Sequence, residues 1–88
     1  MSETQSSVTL TVHFLARYAE LVGTESTEIT LGAPANVAHV LGALRSRFPG
    51  ARRIPDRPMC ALNLAQVDLS ATVSNGDQLA LLPPMAGG

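Results

Sequence analysis

Asn36-Val37-Ala38-His39-Val40-Leu41-Gly42-Ala43-Leu44-Arg45-Ser46-Arg47-Phe48 is the stretch that decides the fold class. Val37, Val40, Leu41, Leu44 and Phe48 fall at i, i+3, i+4, i+7 and i+11, one apolar stripe along an α-helix. Asn36 stands where a side-chain oxygen caps the first free N–H groups. Position 39 is His rather than Glu or Gln, so no reciprocal capping box is expected. Gly42 costs the helix up to ~1 kcal/mol relative to alanine, which close packing on a sheet would explain. Pro49-Gly50 ends the helix, and Arg45 and Arg47 suit its C-terminal dipole.

Strand patterns lie on both sides of that helix. Val8, Leu10, Val12 and Phe14 alternate with Thr9, Thr11 and His13, which predicts a half-buried strand with His13 facing outward. Ala16 to Val22 is helix-compatible but too short to stand alone, and Gly23 would stop it. A second strand is expected from about Thr27 to Leu31, followed by the turn signals Gly32 and Pro34. Beyond the helix, residues 51–58 read as a polar loop. A third strand is predicted from about Met59 to Leu64, with Cys60 as a small buried residue. Residues 65–77 read as irregular, with a turn at Asn75-Gly76-Asp77, and the final strand is Gln78 to Leu82. One helix covering one face of a mixed sheet is an α+β arrangement. If Phe14, Leu79 and Leu81 face the helix, Leu15 and Leu82 face away from it.

Composition narrows the function classes. The 88 residues make one small domain, 45% hydrophobic and only 3% aromatic, so the core is aliphatic. A formal net charge of −1 gives no electrostatic case for nucleic acid or an anionic membrane. All six basic residues are arginines, and those from Arg45 to Arg57 read as a solvated helix end and loop. One cysteine excludes an internal disulfide, and no Cys/His spacing resembles a metal site. Met1 to Ser7 is polar and expected to be disordered, nothing resembles a signal peptide or membrane span, and a reducing cytoplasm is the expected compartment.

The last strand runs into Leu81-Leu82-Pro83-Pro84-Met85-Ala86-Gly87-Gly88. Two prolines end sheet pairing and stiffen the exit. Residues 83–88 span roughly 20 Å when extended. Two glycines without Cβ atoms give a slim end that enters a narrow channel. The arrangement reads as a carboxylate presented on an arm, in a chain without an acid–base or nucleophile constellation of its own.

Val12-His13-Phe14-Leu15-Ala16-Arg17-Tyr18-Ala19-Glu20-Leu21-Val22-Gly23 resembles the first strand and turn of the small, sulfur-carrier subunits of molybdopterin synthase. Ala61-Leu62-Asn63 and Asn75-Gly76-Asp77, followed by the Pro-Pro and Gly-Gly elements, are similar to the rest of that family pattern. The resemblance implies a ubiquitin-like β-grasp fold over residues 8–82, with the last strand central and parallel to the first, and a flexible tail over 83–88. It implies that a ubiquitin-activating-enzyme-like adenylyltransferase uses ATP to adenylate Gly88, and that a sulfur relay then makes a thiocarboxylate. The tail would enter the large catalytic subunit, in a heterotetramer, and donate sulfur to a cyclic pyranopterin monophosphate. This chain would bind no cofactor itself. Gly88 would carry the sulfur on Pro83, Pro84, Met85, Ala86 and Gly87, and Leu15 and Leu82 match positions of apolar partner contact. Two departures stand out. Ala19 replaces a common basic residue, and Leu64-Ala65 replace a glycine or polar turn after the asparagine. A carrier for cysteine or thiazole synthesis, a ubiquitin-like protein modifier and an inert β-grasp interaction module remain open as alternatives.

Overall fold

The computed structural model describes residues 6–84 of the chain. The elements run β1 (Ser7–Phe14), α1 (Arg17–Val22), β2 (Ser26–Gly32), β3 (Ala35–Asn36), α2 (Val37–Arg47), a 3₁₀ helix (Pro49–Arg53), β4 (Met59–Leu62), β5 (Ala65–Val67), β6 (Thr72–Val73) and β7 (Gln78–Leu82). The main sheet has the order β2-β1-β7-β4-β5, and β3 and β6 form a separate two-stranded ribbon. β7 sits between β1 and β4, parallel to β1 and antiparallel to β4. This is the mixed sheet with a central last strand that the β-grasp resemblance implies.

Alternation in β1 explains the core. Val8, Leu10, Val12 and Phe14 are buried, together with Leu79 and Leu81 of β7, against Val37, Val40, Leu41 and Leu44 of α2. The register pairs Val12 with Leu79 and Phe14 with Leu81, so the inward sets of the two central strands coincide. Cys60 is buried as expected, on the inward set of β4 opposite Leu81. β1 begins at Ser7, which pairs with Gly32, one residue earlier than the alternation alone marks. The rest of the N-terminal expectation, residues 1–5, lies outside the described residues.

Several local expectations are corrected. α2 does carry a capping box: Asn36 Oδ1 accepts from His39 N–H at 2.9 Å, while Asn36 N–H donates to His39 Nδ1 at 3.1 Å. The imidazole nitrogen supplies the acceptor that glutamate usually provides. Phe48 lies beyond the helix with φ −120° and meets the Phe14 ring edge-on at 6.2 Å. Arg45 and Arg47 do more than face the dipole. Arg45 donates to the carbonyl of Pro55 at 2.8 Å, and Arg47 to that of Glu28 at 2.9 Å, so both brace neighbouring segments. Within the expected loop after α2, Pro49–Arg53 is a 3₁₀ helix.

The third strand stops at Leu62 rather than Leu64, and the segment after it is not wholly irregular. Asn63 and Leu64 have φ of 51° and 74°, a tight turn that leads into β5 and pairs Leu62 with Ala65. Positive φ at both central residues matches the twist of the flanking strands. The family resemblance implies a turn after Asn63; the local pattern carried the strand on to Leu64 because leucine stands where glycine would mark that turn.

Gly42 is exposed, and a Cβ built there meets nothing within 4 Å. Close sheet packing therefore does not explain it. Gly42→Ala is expected to raise stability by about 0.8–1 kcal/mol through helix propensity alone, read as a higher denaturant midpoint at unchanged slope.

Candidate functional site

The candidate site is the end of β7 and the sheet face turned away from α2. Hydrogen bonds to the turn before β7 fix where that strand begins. Thr9 N–H donates to Asn75 Oδ1 at 2.8 Å, and Gly76 N–H to the Thr9 carbonyl at 2.8 Å, which docks the turn before β7 onto β1. Gly76 has φ 87°, the left-handed conformation that glycine adopts without a Cβ clash. Asn63 then ties β4 to β7. Its Nδ2 donates to Asp77 Oδ1 at 3.0 Å, and its Oδ1 accepts from Gln78 N–H at 2.9 Å. Asp77 Oδ2 also accepts from Ser74 N–H at 2.6 Å. Asn63, Gly76 and Asp77 thus hold the register of β7 and so the exit point of the chain.

Pairing stops after Leu82, at Pro83 and Pro84, as the missing proline N–H groups require. Pro83 is half-buried and Pro84 exposed. Met85, Ala86, Gly87 and Gly88, the rest of the candidate tail with the expected point of sulfur attachment, lie outside the described residues.

The structure brings Leu15 and Leu82 together. Phe14 pairs with Leu81, and Leu15 N–H donates to the Leu81 carbonyl at 3.2 Å, so Leu15 lies beside the end of β7. Leu15 is exposed and Leu82 half-buried. Across the next ladder Met59 pairs with Leu82, and Ala61 with Ala80. Met59 is 46% exposed and Leu64 fully exposed, so they extend the apolar face. Neither was singled out from the sequence as a contact residue. The signal for Met59 was the parity of β4, since inward Cys60 and Leu62 send Met59 and Ala61 outward. His13 also faces outward, half-buried, with Nε2 2.6 Å from Gln78 Oε1.

Among the described residues no group of His, Cys, Asp and Glu is arranged to hold a metal. Burial pushes the Cys60 thiol up, away from the thiolate, and its Sγ donates to the Pro58 carbonyl at 3.4 Å. That is a packed thiol, not a nucleophile. Asp68 is held below the usual carboxylate range by hydrogen bonds from the Ser70 hydroxyl and N–H, within a local turn. No helix among the described residues is long and apolar enough to cross a membrane.

Comparison with known proteins agrees with this geometry. A molybdopterin synthase sulfur carrier subunit of Aedes aegypti is 38% identical over 82 residues, covering 85% of this chain and 84% of the relative. SAMP1 of Haloferax volcanii superposes with a TM-score of 0.82 at 26% identity, over 91% of this chain and 99% of that one. One subunit in a complex of subunits 1 and 2 of molybdopterin-converting factor from Helicobacter pylori superposes with a TM-score of 0.64 at 27% identity, over 92% and 100%. The ThiS family profile matches residues 12–88, so a match that runs through the sheet, its open face and the Gly-Gly element places the chain in that family. The chain belongs to the ThiS family of ubiquitin-like sulfur carriers.

Proposed function

We propose that the chain is the sulfur-carrier subunit of a cytoplasmic molybdopterin synthase, with Gly88 as the point of attachment. The observation that carries this reading is the placement of β7. The strand is clamped at the centre of the sheet by Asn63, Asn75 and Asp77, and it ends beside an apolar face at the prolines that lead to Gly87 and Gly88. A rigid base and a slim end deliver a terminal group to another protein's catalytic groups.

The chemistry follows from the reactivity of a carboxylate. The Gly88 carboxylate oxygen attacks the α-phosphorus of ATP on a ubiquitin-activating-enzyme-like adenylyltransferase, and pyrophosphate leaves. The terminal sulfur of a relay persulfide then displaces AMP from the acyl carbon, giving an acyl disulfide, and a thiol cleaves its S–S bond, leaving the thiocarboxylate on Gly88 and a new disulfide on the relay. In the large catalytic subunit this sulfur attacks a carbon of the cyclic pyranopterin monophosphate and displaces an oxygen substituent; water then hydrolyses the resulting thioester, which leaves the sulfur on the pterin and restores the Gly88 carboxylate, and two such transfers complete the dithiolene. The large subunit supplies the oriented charges that stabilise the transition state. The pairing with a large subunit is supported by the Helicobacter pylori complex, and the pathway by the name of the curated relative.

Intact mass spectrometry tests the reading. After incubation with adenylyltransferase, ATP and the sulfur relay, one oxygen of Gly88 is expected to be exchanged for sulfur. The thiolated chain, large subunit and pyranopterin precursor are then expected to yield molybdopterin. An authentic thiocarboxylate that yields none points to another sulfur acceptor. The likeness to SAMP1, a small archaeal modifier protein, supports a second reading as a protein modifier. That reading requires Gly88 in isopeptide linkage to lysines of other proteins.

A further inference from the structure

Leu64 is the least economical residue of the described chain. Its side chain is 100% exposed, and its φ of 74° is a left-handed conformation that glycine adopts freely and leucine does not. A scattered exposed leucine needs no explanation. This one is not isolated. It lines an open groove together with Leu15, Ala19, Ala61 and Ala80. The alanines in that lining leave room for a large incoming side chain. The charged side chains that line the groove are both carboxylates, Glu20 and Glu25. No arginine lines it among the described residues.

We propose that the Leu15–Leu64 groove is a specificity-determining docking site for a large apolar side chain flanked by arginine or lysine on the catalytic large subunit. The inference rests on the carrier reading, which requires that subunit, and deepens it by assigning the chemistry of the contact. The apolar anchor seats against Ala61, Ala80 and Leu64. The adjacent cation meets Glu20 and Glu25, which also favour encounter with a basic surface over an acidic one. Ala19 fits the same logic: a basic residue there would repel the proposed partner cation. The groove adjoins the end of β7 through the Leu15–Leu81 hydrogen bond, so docking sets the position of the strand that leads to the tail.

Titration of the full-length chain against the large subunit of the same organism tests the proposal. Leu64→Gly removes the anchor contact and relieves the backbone at once. Its melting temperature is expected to equal or exceed that of the wild type, while affinity for the large subunit falls at least about tenfold. A merely structural role would move both in the same direction. Leu64→Asn, which tolerates the left-handed conformation, is expected to behave alike. The double variant Glu20→Arg/Glu25→Arg is expected to slow association at low salt. Unchanged affinity of Leu64→Gly overturns the proposal and leaves the carrier reading intact, as does a wild-type dimer that this variant dissolves. A wild-type chain with no affinity for the large subunit overturns it too. Failure of sulfur to reach Gly88 is a separate result and fails the carrier reading instead.

Discussion

Deletion of Gly88 abolishes sulfur transfer and leaves the thermal transition of the domain unchanged. The two halves of this expectation have different physical sources. Among the described residues the buried hydrophobic set runs from Val8 to Leu81 and main-sheet pairing ends at Leu82, before the prolines. The truncated chain still ends in a carboxylate, that of Gly87, and its reactive carbon has the same intrinsic chemistry. It is displaced by one residue, about 3.3–3.6 Å along an extended chain. A misplacement of 1 Å costs on the order of 100-fold when a reaction depends on oriented approach. A retreat three times larger is therefore expected to take product formation to background. Gly88→Ala keeps the reach and adds only a Cβ, so it separates length from width and is expected to retain more activity than the deletion. Molybdopterin yield and calorimetric melting are the two measurements. A truncated chain that transfers sulfur at the wild-type rate removes Gly88 as the attachment point, and one that loses its cooperative melt places the end inside the fold.

The elements that carry periodic apolar patterns were legible in the sequence. β1 reads directly from the alternation of Val8, Leu10, Val12 and Phe14, and α2 from the stripe Val37, Val40, Leu41 and Leu44, because burial dictates both spacings. The proximity of Leu15 and Leu82 followed only once β7 was known to lie parallel to β1, a pairing of residues far apart in sequence that no local pattern encodes. Features that depend on single atoms were not legible. The capping role of His39 rests on one ring nitrogen reaching one N–H, outside the usual glutamate pattern. The β4–β5 hairpin was implied by the family resemblance but not by the local pattern, because Leu64 holds a backbone conformation that the surrounding ladder imposes against its own preference. The bracing by Arg45 and Arg47 was missed for a similar reason, since their acceptors are carbonyls of other segments. Gly42 and Gly50 look alike in sequence and differ in what surrounds them, which only tertiary structure reveals.

Gly50→Ala is expected to destabilise the domain by roughly 3–5 kcal/mol, in the upper range for a single substitution. The demand for glycine here is spatial and not conformational, because its φ lies outside the left-handed region. A Cβ at position 50 would overlap the Leu21 carbonyl oxygen and lie 2.7 Å from the Leu21 carbonyl carbon and 3.3 Å from Val22 Cα. These are backbone atoms, so no side-chain rotation relieves the collision. Either the 3₁₀ helix or the C-terminal turn of α1 has to move. α1 has six residues and depends on packing for its helicity, so displacement melts it rather than tilting it intact. Tyr18, 3% exposed, then loses its cover, and the segment following Leu15 loosens beside the end of β7. At about 4–8 °C per kcal/mol for a domain of this size, the melting temperature is expected to fall by roughly 12–40 °C. Partner affinity is expected to fall with it, because Leu15 leads into the displaced helix. The same chemical change at Gly42 has the opposite sign, which makes the pair an internal control: propensity alone acts at position 42, and steric overlap dominates at position 50. A Gly50→Ala domain that melts within a few degrees of the wild type shows that α1 yields without cost, and the close approach of Leu21 to Gly50 then has no part in holding the fold.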